Sequence, residues 1–212
     1  MDSGEDGNSN RRPIAARGNA SMQKIAAGLS RGGITPNQIS VASIAFAGFG
    51  AWALLALPSP WGPWLCVAGI QARLLCNLFD GMVAVEGGKR TATGGLYNEV
   101  PDRIADSMLI VALGYVIALP WLGWVGALLA ALTAYVRTLG GALGQAQDFR
   151  GPMAKQHRMA AMTAACALAP FEAWSQHSSW LLTAASAVIA IGALLTCWTR
   201  LHAMATRLRG TA

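Results

Sequence analysis

Four oxygen-bearing side chains stand out in an otherwise apolar stretch: Asn77, Asp80, Asn98 and Asp102. Arg73, Asn77, Asp80 and Ala84 recur at i, i+4, i+7 and i+11, which places them on one stripe of a helix. Asn98, Asp102 and Asp106 recur at i, i+4 and i+8 and share a face of the next helix. Carboxylates and amides without a thiolate or imidazole suit a hard cation, Mg²⁺, Mn²⁺ or Ca²⁺, rather than zinc. Ionisable groups inside apolar helices are costly and mark a functional site by default. The competing reading is internal pairing, for example Arg73 with Asp80 or Arg103 with Asp106, which would lock the helices together without chemistry.

The elements that must carry these residues follow from composition. Of 212 residues, 54% are hydrophobic and 12% charged, with a mean hydropathy of +0.40, whereas soluble domains carry about 25% charged residues. A soluble fold of this size cannot hide so much apolar surface, so a bilayer has to cover it. The pattern predicts an all-α membrane protein with six transmembrane helices, at about 38–57, 63–85, 96–118, 122–144, 155–173 and 179–202. Pro58-Ser59-Pro60, Gly87-Gly88, Pro120, Gly151-Pro152 and Pro170 onward punctuate them. Neighbouring antiparallel spans would then bring Asn77, Asp80, Asn98 and Asp102 together just below one membrane surface.

Charge placement gives the orientation. All sixteen Lys and Arg residues fall on one side of the six spans or in the nearer half of a span. The opposite loops hold Trp61, Trp64, Trp121, Trp124, Trp174 and Trp180. Basic residues stay cytoplasmic and tryptophan gathers at the interface, so both termini are expected inside, at the cell's inner membrane. Residues 1–18 read as a flexible cytoplasmic tail without the apolar core of a signal peptide, and 206–212 as a second short tail. Met22, Ile25, Ala26 and Leu29, at i, i+3, i+4 and i+7, predict an N-terminal amphipathic helix lying in the interface, ended by Ile34-Thr35-Pro36-Asn37. Cys66, Cys76, Cys166 and Cys197 lie in apolar runs without metal-binding spacing and read as small hydrophobes. No nucleic-acid partner is expected.

Positions 77 to 102 resemble, without gaps, the D-x-x-D-G-x-x-A-R-x8-G-x3-D-x3-D signature of the CDP-alcohol phosphatidyltransferases. Asp80, Gly81, Ala84, Gly94 and Asp102 match it, while Asn77, Val85 and Asn98 replace an Asp, the Arg and an Asp. The resemblance covers residues 19–205 and implies a six-helix membrane domain, a homodimer and a role in phospholipid biosynthesis. It implies Mg²⁺ or Mn²⁺ held by Asn77, Asp80, Asn98 and Asp102 against the diphosphate of a CDP-lipid donor. Gly81, Ala84 and Gly94 would make room for the nucleotide. Asp102 would take the proton of an alcohol acceptor that attacks phosphorus and expels CMP.

The departures keep oxygen ligands but remove two negative charges and a cation. Glu86, Glu99 and Asp106 are candidates to restore the charge, and Lys89 and Arg90 to replace the cation beside the donor. Tyr135 and Arg137, with Lys155 and Arg158 three residues apart after Gly151-Pro152, are the candidate acceptor-binding residues, because relatives place basic groups there for an acceptor phosphate. Ordinary membrane anchors snorkelling to the surface are the alternative for these cations. His157 reads as interfacial, and His177 and His202 earn no role. Gly87-Gly88 and Gly94-Gly95 suit a mobile loop without the Lys-Ser/Thr of a phosphate loop. Gly140, Gly141 and Gly144 could admit a close helix contact. The other functions consistent with the sequence are a relative that has lost chemistry and binds CDP-lipid or supports a partner enzyme, and small-solute transport.

Overall fold

The computed structural model describes residues 19–85, 87–89, 91–174 and 179–210, the side chains of 173 and 174 excepted. The tail expected over 1–18 lies outside them. Seven helices and no strand make up the described residues: α1 Ala20–Arg31, α2 Pro36–Ala56, α3 Trp61–Val85, α4 Gly94–Val116, α5 Pro120–Ala142, α6 Lys155–Trp174 and α7 Trp180–Gly210.

Local chemistry sets most boundaries. Asn19 caps α1 by accepting from the Ser21 N–H at 2.9 Å. Thr35 and Gln38 form a reciprocal capping box ahead of Pro36, which begins α2 at a position where its missing N–H is harmless. The breaks expected at Pro58–Pro60 and Pro120 both occur. Pro170 does not end α6, which continues to Trp174, because a proline close to a helix end removes little of its hydrogen bonding. The last helix runs past the expected residue 202 to Gly210. No breaker intervenes, and Arg207 and Arg209 in its last turn complement the helix dipole.

Helix α3 packs against α2 and α6, while α4 packs against α2, α5 and α7, so α3 and α4 share α2 as a common neighbour. Two glycine pairs fix how closely these helices approach. A Cβ on Gly69 of α3 would stand 2.7 Å from the Phe46 carbonyl oxygen and 2.8 Å from Gly50 Cα of α2. One on Gly114 of α4 would stand 2.6 Å from Gly123 Cα of α5. By contrast, Gly140 and Gly144 have nothing within 4 Å of where a Cβ would lie, and Gly141 meets only Gln147 at 3.9 Å. The main core, including Ile70, Leu109, Ile110, Leu113, Met159, Met162 and Ile189, is a single apolar cluster drawn from α2 to α7.

Of the expected amphipathic face of α1, Ala26 is buried with Met22 and Leu29 beside it, against Ile39, Cys76, Leu78, Met82 and Val83. Ile25 is 46% exposed. Among the described residues four helices, α2, α3, α5 and α7, are long and apolar enough to cross a membrane. The other two long helices carry charge in their first half, Glu99, Asp102, Arg103 and Asp106 on α4 and Lys155 and Arg158 on α6. Those same residues build the site.

Candidate active site

The polar faces of α3, α4 and α6 meet around Asp102. Asn77 donates its amide nitrogen to Asp102 Oδ1 at 3.0 Å. An ionised carboxylate only accepts, so the amide has to present its nitrogen and turns its oxygen elsewhere. Arg73, one turn back on α3 and fully buried, donates from Nη2 to the same oxygen at 3.3 Å. From the start of α6, the ammonium of Lys155 donates to Asp102 Oδ2. Arg103 stands at the edge, 3.9 Å from Asp102 Oδ2 and 3.9 Å from Glu99.

One turn deeper, Asp106 is gripped by two guanidiniums. Arg73 Nη2 lies 2.7 Å from Asp106 Oδ1, and Arg158 Nη2 lies 2.8 Å from Oδ2. The Arg158 Nη1 donates to the Met153 carbonyl at 2.9 Å and to the Thr133 hydroxyl at 3.3 Å. Buried charge is tolerable only when paired, and the two arginines and Asp106 pair reciprocally, although Asp106 Oδ1 and both arginine Nε atoms make no hydrogen bond. Internal pairing therefore does operate here, with partners other than those expected: Arg73 joins Asp102 and Asp106, not Asp80.

Asp80 is held from α2. Ser40 Oγ donates to its Oδ2 at 2.6 Å, both residues are buried, and Oδ1 has no hydrogen-bond partner. Nothing in the sequence singles out Ser40. Its position one turn into α2, facing α3, exists only once the two helices are packed.

A cavity of about 520 Å³ opens over Asp102. Asn77, Asn98 and Asp102 contribute to its wall, with Arg103, Arg137, Lys155, Arg158 and Arg200 supplying the positive charge. Arg137 is fixed by Gln147 at 2.6 Å and Glu99 at 2.5 Å, and its guanidinium lies 5.4 Å from the centre of the Phe149 ring. Arg200 donates to the Arg150 carbonyl at 2.8 Å and the Thr133 carbonyl at 2.6 Å. The sequence reading did not assign Arg200 to the site; a basic residue inside an apolar helix was the available signal.

The remaining expected residues lie differently. Tyr135 is 60% exposed and is not part of the cavity wall. Gly81, Ala84 and Gly94 do not line it either. Lys89 donates to the Ser30 carbonyl at 2.6 Å and the Ile34 carbonyl at 3.3 Å, so it caps the end of α1. Arg90 and Glu86 lie outside the described residues.

A divalent ion among Asn77, Asp80, Asn98 and Asp102 does not fit this donor set. Among the described residues, no three His, Cys, Asp or Glu side chains form a group able to hold one. Both Asp102 oxygens already accept from nitrogen donors. Asn98 is exposed at the cavity rim.

Comparison with known proteins places this arrangement. No curated protein matches the chain in sequence. In fold, it is similar to crystal structures of a Mycobacterium tuberculosis phosphatidylinositol phosphate synthase. The form with CDP-DAG bound is 22% identical, with a TM-score of 0.73 over 86% of this chain and 92% of that one. The form in complex with manganese and citrate is also 22% identical, with a TM-score of 0.74 over 87% and 89%. The family model for CDP-alcohol phosphatidyltransferases matches residues 33–198, from the turn before α2 to well inside α7, and so takes in every cavity-lining side chain but Arg200. Motif, bundle and cavity thus converge, and the chain belongs to the CDP-alcohol phosphatidyltransferase family.

Proposed function

We propose that this protein is an integral membrane transferase that moves a phosphatidyl group from a CDP-alcohol, CDP-diacylglycerol, to an acceptor alcohol. The observation that carries the reading is the position of Asp102, a buried carboxylate at a cavity whose other charged residues are mostly cationic. A diphosphate donor needs positive charge around it, and a hydroxyl nucleophile needs a base. The acceptor oxygen would bond to the lipid-side phosphorus, the bond from that phosphorus to the bridging oxygen would break, and CMP would leave carrying that oxygen. The acceptor proton would pass to Asp102. Arg137, Lys155 and Arg158 with Arg200 suit an acceptor that itself carries an anionic group.

In this reading all six long helices cross the membrane, with α1 in the cytoplasmic interface and both termini cytoplasmic. The charged first halves of α4 and α6 meet one another's partners and so need not face lipid. The exposed face around Gly141 and Gly144 is where a second copy would pack in a homodimer. The test is CMP release by the purified full-length protein in detergent, given CDP-diacylglycerol and a panel of alcohols with and without an anionic group. Release with an acceptor, lost in Asp102→Ala, supports the reading. A folded protein that releases none with any acceptor overturns it.

A second reading is a family member that binds CDP-lipid without turning it over. The full occupation of Asp102 by Asn77, Arg73 and Lys155 favours it, because both carboxylate oxygens are already engaged by donors of the protein itself. Binding of CDP-diacylglycerol without CMP release would select this alternative.

A further inference from the structure

The charges around Asp102 do not add up to a site waiting for metal. Asp102 and Asp106 are ion-paired with Arg73, Lys155 and Arg158, Asp80 is tied to Ser40 outside the cavity wall, and the wall itself sets Arg103, Arg137, Lys155, Arg158 and Arg200 against Glu99 and Asp102. Asn77 and Asn98 contribute no charge where the family signature has two further carboxylates. Adding a divalent cation would raise an existing positive excess in a poorly screened interior, where charge repulsion is strong. The same excess favours an anion. Arg73 is fully buried and bound to Asp102, Asp106 and the Met159 sulfur, so it serves the carboxylates and cannot reach a ligand. Lys155 differs, because its side chain is 26% exposed and lines the cavity.

We propose that fixed side-chain cations take the place of divalent metal in this site: Arg73 neutralises the carboxylates from below, and Lys155 faces the diphosphate of the CDP-alcohol from above. This rests on the CDP-alcohol reading and deepens it. It also gives Lys155 a double duty. When a diphosphate enters, the ammonium transfers its hydrogen bonds from Asp102 to the ligand, which releases Asp102 at the moment the donor arrives. Restoring acid at positions 77 and 98 would rebuild the charge that a divalent ion needs.

The test uses full-length protein in lipid nanodiscs, with binding of CDP-diacylglycerol followed by competition against a fluorescent CDP-lipid. Binding is measured in EDTA, in Mg²⁺ and in Mn²⁺, and Mn²⁺ alone is followed by its electron paramagnetic resonance signal. The expected result is a Kd that agrees within about twofold in all three conditions, with no Mn²⁺ bound stoichiometrically to the ligand-free protein. Lys155→Met should weaken binding by about tenfold or more in EDTA, the scale of one charge-assisted hydrogen bond, and Lys155→Arg should recover part of it. The paired change Asn77→Asp with Asn98→Asp should bind Mn²⁺ and make CDP-lipid affinity metal-dependent. Binding that requires Mg²⁺ or Mn²⁺ in the wild type, or an unchanged affinity in Lys155→Met, overturns the inference while leaving the CDP-alcohol reading intact. Absence of CDP-lipid binding by folded protein in every condition overturns both.

Discussion

Asp102 and Asp106 lie one helical turn apart on the same face of α4, and both are nearly inaccessible, yet their surroundings divide the site in two. Asp106 sits in a knot closed by Arg73 at 2.7 Å and Arg158 at 2.8 Å and does not itself line the cavity. Asp102 accepts from an amide, a guanidinium and the ammonium of a side chain that also lines a cavity. Arg73 does not line the cavity and is therefore structural, whereas Arg158 both pairs with Asp106 and lines the cavity. The upper ammonium has somewhere to go and is therefore available for chemistry. Identical residue type and equal burial do not make equivalent roles; access does.

The strongest challenge to that division is removal of the lower carboxylate. Asp106→Ala leaves Arg73 and Arg158 buried with one acidic partner between them, and breaking such a network costs about 3–5 kcal/mol. The expected outcome is a large drop in thermal midpoint or a loss of folded protein, read by size-exclusion and a thermal-shift assay in detergent. Asp102→Ala should do the reverse, abolishing CMP release by a factor of about 10² or more while lowering the midpoint much less, since Arg73 retains Asp106 and Lys155 reaches solvent. Equal destabilisation by the two substitutions would erase the distinction between knot and cavity floor.

Packing below the site gives a third comparison. Gly69→Ala places a methyl against the Phe46 carbonyl and Gly50 and should cost about 1–3 kcal/mol, while Gly141→Leu, at an exposed helical position where a Cβ meets only Gln147 at 3.9 Å, should leave the isolated chain's stability nearly unchanged. A loss of dimer in Gly141→Leu, seen by light scattering, would assign that face to self-association. The smallest effect belongs to the loop between α5 and α6. Asp148 is held down to about 2 chiefly by hydrogen bonds from the Arg150 side chain. Its folded value lies below the ordinary 3.8, so its contribution to stability is complete at neutral pH and fades as pH falls from 3.8 toward about 2. Asp148→Asn should remove that acid-limb change with little effect at pH 7, as expected for a pair whose arginine is 59% exposed.

Much of the helix plan was legible because punctuation is local. Thr35-Pro36, Pro58–Pro60, Gly87-Gly88 and Pro120 act through their own backbones, and the expected helices begin and end near them. The end of α7 was not legible, because no residue near 202 forbids continuation. The faces of α3 and α4 were legible for the same reason as the punctuation: helical periodicity fixes the angle of Asn77, Asp80, Asn98 and Asp102 around their axes. Depth and partner were not. Asn98 and Asp102 share a face, yet the first is exposed and the second buried, since only the second lies level with Arg73. Lys89 could equally have reached a donor phosphate; it reached the Ser30 and Ile34 carbonyls at and just past the end of α1.

By itself, then, the sequence determined that the chain is a bundle of apolar helices with a family signature on two of them, because composition, breakers and periodicity are properties of each segment alone. Only the tertiary structure decided that Arg73 bridges Asp102 and Asp106, that Ser40 rather than a cation holds Asp80, and that Lys155 closes over Asp102. Those choices depend on which oxygen of one helix comes within about 3 Å of which nitrogen of another. That distance is set by glycine-tight packing far from the motif.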